Sequence, residues 1–320
     1  MKIDLTLHSF TMTQHFRHAP GFDAYAFVDL AERHGLQGIS LSLNDINFRH
    51  LGGTDPGRMD RLRARLERSG LSLEIDTSGT EPAHLRKMIG VAARIGAQSL
   101  RTYTRHCGTP QQMAEATVCD LAAVVEIASG ANVVIVLENH EDFTGPELAG
   151  IVKAVGHPFL RILYDYGNAQ MVLEDPEEAL MAVLPYVYSV HVKDHMMVHA
   201  DHAGVLTVAG VPIGEGAIPI RRITRRLLDH GLRRFTFENV WAYAAGIRPG
   251  RTPQKGVVLG NGSFRWREPP FDPNHIVLDV SSHSAKALVR MEASALERGM
   301  RWFKDELRGM GCSGGWDQNT

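Results

Sequence analysis

The stretch from Arg161 to Asp194 constrains the fold more than any other. Two apolar runs of strand length, R-I-L-Y-D and Y-V-Y-S-V-H-V, each carry a metal-capable side chain near their ends, Asp165 and His191. Between them lies E-D-P-E-E-A-L-M-A-V-L, with Pro176 near a helix start and Leu180, Val183 and Leu184 spaced for one buried face. Strand, helix and strand in that order make a crossover, which implies a parallel pair. Both polar residues then stand at the carboxyl edge of the sheet, where ligands gather in barrels and in open α/β sheets.

The same unit recurs along the chain. Strands are expected over 3–7, 38–43, 71–75, 98–102 and 133–137, then ending at Asp165 and at His191, and lastly over 234–237. Helices are expected over 22–34, 59–68, 82–95, 111–128, 146–155 and 220–230, with Gly35, Gly70 and Gly96 as stops. Eight such units in about 240 residues suit a (β/α)8 TIM barrel. No G-x-G-x-x-G or Walker-type pattern follows an early strand, which argues against an open nucleotide-binding sheet. The glycine-containing stretch after Asp194 reads as a long loop serving the site. Residues 243–274 are rich in Gly, Pro and Arg without clear periodicity. Residues 284–307 return to a helix with Ala287, Leu288, Met291, Ala295, Leu296, Met300 and Phe303 on one side. The chain therefore divides into a catalytic barrel, 1–242, and a C-terminal extension, 243–320, made of an irregular excursion and a closing helix packed on the barrel.

Glu138, Asp165, His191 and Glu238 stand at the ends of the last four strands. The first two gaps are each about one strand-helix unit, and the third is longer by an insertion. Taken singly, a carboxylate at a strand end is as well explained by a helix cap or an ion pair, and a lone histidine by a structural role. Four in register on consecutive strands fit chance poorly. Three carboxylates and an imidazole aimed at one point repel unless a cation joins them. A set of mostly oxygen donors with one nitrogen makes Mn²⁺ the first expectation, with Mg²⁺, Co²⁺, Fe²⁺ or Zn²⁺ as alternatives.

The motifs V-L-E-N-H, Y-D-Y-G-N, V-H-V-K-D, G-E-G-A-I-P-I and F-E-N, in that order, resemble the xylose isomerase-like TIM-barrel superfamily of sugar isomerases and epimerases, over residues 1 to about 241. The resemblance implies a divalent metal held by Glu138, Asp165, His191 and Glu238. It also implies that Glu138 and Glu238 move the proton, on opposite faces of a substrate whose oxygens bind the metal. The chemistry expected is proton abstraction beside a carbonyl of a sugar or sugar derivative, through an enediolate. The ketose epimerases of the family carry a histidine three residues after the aspartate, where this chain has Asn168. His140 falls on the same side of an extended segment as Glu138 and is a candidate additional base. Asn168, Lys193 and Arg101 are candidate substrate contacts, with Arg105 near Arg101. Asp194 is expected as a cap or a neighbour of the ligands. His195, His199 and His202 read as exposed loop histidines rather than a zinc site.

The alternative is a lyase built on the same site. The catalytic subunit of bacterial C-glycoside deglycosidases, which act on 3-oxo-glycosides, resembles this family and pairs with a small second subunit. Residues 243–274 would suit such an interface, or a homo-oligomer contact. An abasic-site endonuclease needs many more strand-end histidines and a basic groove, whereas the net charge here is −2. A non-enzymatic binding barrel would leave the full ligand set without a purpose. Small carbohydrates, not nucleic acid or membranes, are thus the expected partners. Three cysteines without metal-type spacing and the lack of an apolar leader fit a reducing cytoplasm.

Overall fold

The computed structural model describes residues 1–199, 206–248 and 250–317. Eight parallel strands close a barrel: β1 (Asp4–His8), β2 (Gly38–Ser42), β3 (Ser72–Asp76), β4 (Ser99–Thr102), β5 (Val134–Glu138), β6 (Leu160–Asp165), β7 (Val187–Val192) and β10 (Arg234–Phe237), with β10 pairing both β7 and β1. Each expected strand is present, shifted by a residue or so at its ends. Helices α1 (Thr13–His18), α2 (Ala24–Arg33), α3 (Pro56–Ser69), α4 (Pro82–Ile95), α5 (Pro110–Ala122), α6 (Val125–Gly130), α7 (Gly145–Val155), α8 (Pro176–Val183) and α9 (Ile220–Asp229) accompany the strands. Gly96 ends α4 at φ +78°, as expected, and Asp23, Asp55 and Asp175 cap the first turns of α2, α3 and α8.

Three elements depart from the sequence reading. The helix expected over 111–128 is broken into α5 and α6 at Ala123–Val124, where Val124 leaves helical geometry. α1 is a short additional helix with no side-chain cap from its own Met12. The stretch after Asp194 is not all loop: β8 (Asp194–His199) and β9 (Leu206–Val211) pair as an antiparallel hairpin. Alternation explains it. Met196 and Val198, with Ala209 and Val211, bury one face against Ile276, while Met197 and Val208 bury the other against Met171, Leu173 and Phe264. A sheet covered on both faces shows no polar stripe, so it escaped the period-2 signal.

The excursion supplies that cover. β11 (Ala244–Gly246) pairs with β9, and β12 (Trp266–Arg267) pairs with β8, which completes a four-stranded sheet beside the barrel. The closing helix α10 (Ala285–Gly309) lays Leu296, Met300, Phe303 and Leu307 into the main core, where Phe303 meets Phe235 and Phe237. It also ties down α1: buried Glu292 accepts the Gln14 and His15 backbone N–H groups, which are donors of the first turn of that helix. Among the described residues no helix is long and apolar enough to cross a membrane, and all three cysteines are free.

Candidate metal centre and cavity

The site forms where the barrel strands end. Asp165 and His191 are direct register partners across β6 and β7, and a register shift between Ile162 and Leu163 precedes Asp165. A bulge at that point re-aims the end of a strand. Asn139 then locks β5 to β6: its Nδ2 donates to the Asp165 carbonyl at 2.9 Å, and its Oδ1 accepts the Asp165 N–H at 2.6 Å. Asp165 Oδ1 accepts the Gly167 and Asn168 amides at 2.9 and 3.0 Å, leaving Oδ2 to face inward.

Ligand atoms of Glu138, Asp165 and His191 lie within 4.8 Å of one another, and all three residues are buried. Glu238 joins them with Oε2 3.2 Å from His191 Nδ1. Glu138 Oε2, Asp165 Oδ2, Glu238 Oε2 and His191 Nδ1 are buried without a hydrogen bond of good geometry. Two cations stand beside them. Arg101 Nη2 is 2.9 Å from Glu138 Oε2, and Lys193 Nζ is 2.9 Å from Asp165 Oδ2 and 3.1 Å from Glu238 Oε2. Without an ion the surrounding carboxylates hold a proton on His191, which a cation bound there would release. Three inward carboxylates and one imidazole form a donor set that fits a divalent ion.

The ionisation pattern follows from the same charges. Burial opposes ionisation of Glu138, but Arg101 overrides it and holds the carboxyl well below its ordinary range. Burial likewise opposes Glu238, and Lys193 with His8 keeps it low. Asp165 is pushed up by burial, with Lys193 pulling the other way and the neighbouring glutamates adding to the rise. His191 is disfavoured as a cation by burial, yet Glu238 and Glu138 raise its pKa well above the usual imidazole value.

Further residues reach the site from the ends of β1 and β3. His8 Nε2 makes a close contact with Asp76 Oδ2, and its Nδ1 is 3.3 Å from Glu238 Oε1. Glu74 accepts hydroxyl hydrogen bonds from Ser99 and Ser189 and stands 3.6 Å from His191 Nε2, the nitrogen facing away from Glu138 and Glu238. A carboxylate behind a ligating histidine fixes its tautomer and orientation. The only signal these residues offered was polarity at the ends of β1 and β3. Their convergence on His191 depends on closure of the barrel.

The centre opens into a cavity of about 380 Å³ lined by Arg101, His140, Asn168, Lys193 and Glu238 together with Tyr103, Arg105 and Tyr243. His140 stacks on Tyr103 with ring centroids 3.7 Å apart, and its Nδ1 is buried without a hydrogen bond. Burial lowers His140 to about 4, so the ring is neutral near pH 7. Asn168 Nδ2 points to Glu138 Oε1 at 3.4 Å. Asp194 accepts the amides of His195, Gly214, Gly216 and Ile218, tying the hairpin to the loop before α9. His195 is buried under Tyr243, not exposed as the sequence suggested. His199 stacks on Trp266 and is exposed, while His202 lies outside the described residues.

The xylose isomerase-like TIM barrel family model matches residues 26–254. The chain belongs to this family. The uncharacterized protein YihM of Escherichia coli K12 is 27% identical over 204 residues, 64% of this chain and 62% of that protein. A 3-oxo-isoapionate decarboxylase of Pectobacterium atrosepticum is 25% identical over 187 residues, 55% of this chain and 68% of that enzyme. This chain thus spans under two thirds of the first relative. Among solved structures, the IOLI protein with a bound zinc atom superposes with a TM-score of 0.63 at 13% identity, covering 93% of this chain and 99% of that one. A D-psicose 3-epimerase from Clostridium cellulolyticum H10 with D-tagatose gives 0.61 at 14% identity, covering 93% and 98%. At these identities the solved structures establish the fold.

Proposed function

We propose that the chain is a divalent-metal-dependent enzyme of the isomerase/epimerase type, which removes a proton beside a carbonyl of a sugar or sugar derivative. The observation that supports this reading most is the convergence of three buried carboxylates and one imidazole beside a cavity of small-molecule size, which Glu238 lines. Glu138, Asp165, His191 and Glu238 would hold the ion, Mn²⁺ in the first instance. When bound, it would polarise the substrate carbonyl and stabilise charge developing on an enediolate.

The protein's own groups supply the rest. Arg101 and Lys193 keep Glu138 and Glu238 ionised, which suits carboxylates that accept and return a proton. Lys193 also keeps the two carboxylates it bridges, Asp165 and Glu238, at a set separation. Asn168 donates toward Glu138 rather than competing as a second base.

A lyase reading is favoured by one feature. His140 is neutral, has a free buried nitrogen and faces the same cavity, so it could take a proton separately from the glutamates. Isomerisation returns the proton to carbon. Elimination instead expels a leaving group, as with a 3-oxo-glycoside, and decarboxylation, the reaction named for one relative, expels CO₂ to give the same kind of enolate.

The test is metal analysis followed by turnover. Asp165→Ala and His191→Ala should each lose stoichiometric Mn²⁺, read by inductively coupled plasma mass spectrometry. Mn²⁺-loaded wild type, incubated in D₂O with free ketoses and with 3-oxo-glycosides, should place deuterium at the carbon beside the carbonyl or release the aglycone. Metal content unchanged in both variants would sink the metal assignment. Neither exchange nor release on any keto-sugar would sink the enzyme reading.

A further inference from the structure

We infer that the substrate of this site carries an anionic group, a carboxylate or a phosphate, and that Arg17 and Arg105 at the cavity mouth receive it. This rests on the reading of the cavity as a sugar-like active site and narrows its substrate class.

The argument is an account of charge in the cavity wall. Each acid there is matched within the protein. Glu238 meets Lys193, Glu141 meets Arg248 at 2.7 Å and accepts the Tyr243 hydroxyl, and Asp45 stands 3.6 Å from Arg49. Two cations in the wall are matched as well, Arg101 by Glu138 and Lys193 by Asp165. Arg17 and Arg105 differ. Both line the cavity, both are exposed, and among the described residues neither has a carboxylate within ion-pair distance, Arg105 acting on Asp142 only from further away. The mouth presents two guanidinium groups that no carboxylate there engages at ion-pair distance.

Their placement is built. Arg17 sits one turn after Thr13 on α1, so both project from one face of the helix, and both line the cavity. The helix is held there by Glu292 of α10. Arg105 is held over the Tyr103 ring, 4.7 Å from its centroid, with Nη2 donating to the Tyr103 hydroxyl at 2.6 Å. That contact fixes the guanidinium and leaves further N–H donors for a ligand. Planar, forked donors suit carboxylate and phosphate oxygens.

Isothermal titration of D-gluconate, D-glucose 6-phosphate and D-glucose into the Mn²⁺-loaded protein, at low and at high salt, tests this. At least one anion should bind about 10- to 100-fold more tightly than D-glucose, the scale of one or two charge-assisted hydrogen bonds. The advantage should shrink with salt. Which anion gains more identifies carboxylate or phosphate as the group recognised. Arg17→Gln with Arg105→Gln should abolish the advantage, and Arg105→Lys should keep part of it. Neither residue is among the groups that would hold the ion, so Mn²⁺ content should not move, and Arg17→Gln alone, at an exposed position, should leave the melting temperature unchanged. An advantage that survives the double variant, equal affinity for D-glucose, or no binding of either anion overturns the inference. A protein that takes up no Mn²⁺ overturns the metal reading instead, and the same titrations on the metal-free protein still decide the anion preference.

Discussion

Glu292 ties the closing helix to α1 at the mouth of the barrel. Its Oε1 accepts the Gln14 N–H at 2.7 Å; its Oε2 accepts the His15 N–H at 2.9 Å and pairs with His15 Nδ1 at 2.6 Å. Gln14 and His15 are the second and third residues of α1, so Glu292 does from α10 what an N-cap side chain does locally. Losing a cap costs about 1 kcal/mol, and losing a charge-assisted bond to His15 adds about 2. Burial raises the pKa of Glu292, so part of this gain already offsets desolvation. The small cavity left by truncation works the other way. Glu292→Ala should therefore destabilise by about 3 kcal/mol, and Glu292→Gln, which keeps one acceptor oxygen, by about half as much. Urea unfolding followed by circular dichroism reads this as a lower midpoint at constant slope. A loss below about 1 kcal/mol for Glu292→Ala would refute the capping argument, because the two amides would then have found other partners.

Other outcomes follow from the site. If His140 is the base of the lyase reading, His140→Gln should lower kcat by about 10²- to 10⁴-fold with Mn²⁺ content unchanged; a change under about 3-fold would return the proton transfer to the glutamates. Arg101→Met leaves Glu138 buried beside fewer cations and should cost about 3 kcal/mol in the metal-free protein, measured by denaturant titration; a neutral effect would show that Arg101 does not hold that charge. Gly210→Ala would bring a Cβ within 1.9 Å of the Val240 carbonyl oxygen, so it should lower the melting temperature, with a cost of about 3 kcal/mol. An unchanged melting curve would mean that the hairpin moves freely against the loop after β10.

The barrel and the four polar groups at its carboxyl edge were legible because they follow local rules. A strand that ends at a carboxylate or histidine, followed by a capped helix and a glycine stop, needs no distant information, and eight repeats of that unit admit few architectures. Glu138, Asp165, His191 and Glu238 could be named because each stands near the end of its own strand. What joins them to His8, Glu74 and Asp76 is closure of β1 against β10, a contact between the two ends of the barrel sequence that no local pattern encodes. The β8–β9 hairpin was hidden for a related reason: residues buried on both faces show no alternation of polarity, and its cover comes from the excursion that itself has no periodicity. Local sequence thus determined which groups reach the carboxyl edge of the sheet. Tertiary structure decided which charges are already paired there, since pairing such as Arg101 with Glu138 depends on distances between strands, and it left Arg17 and Arg105 with no carboxylate at ion-pair distance among the described residues.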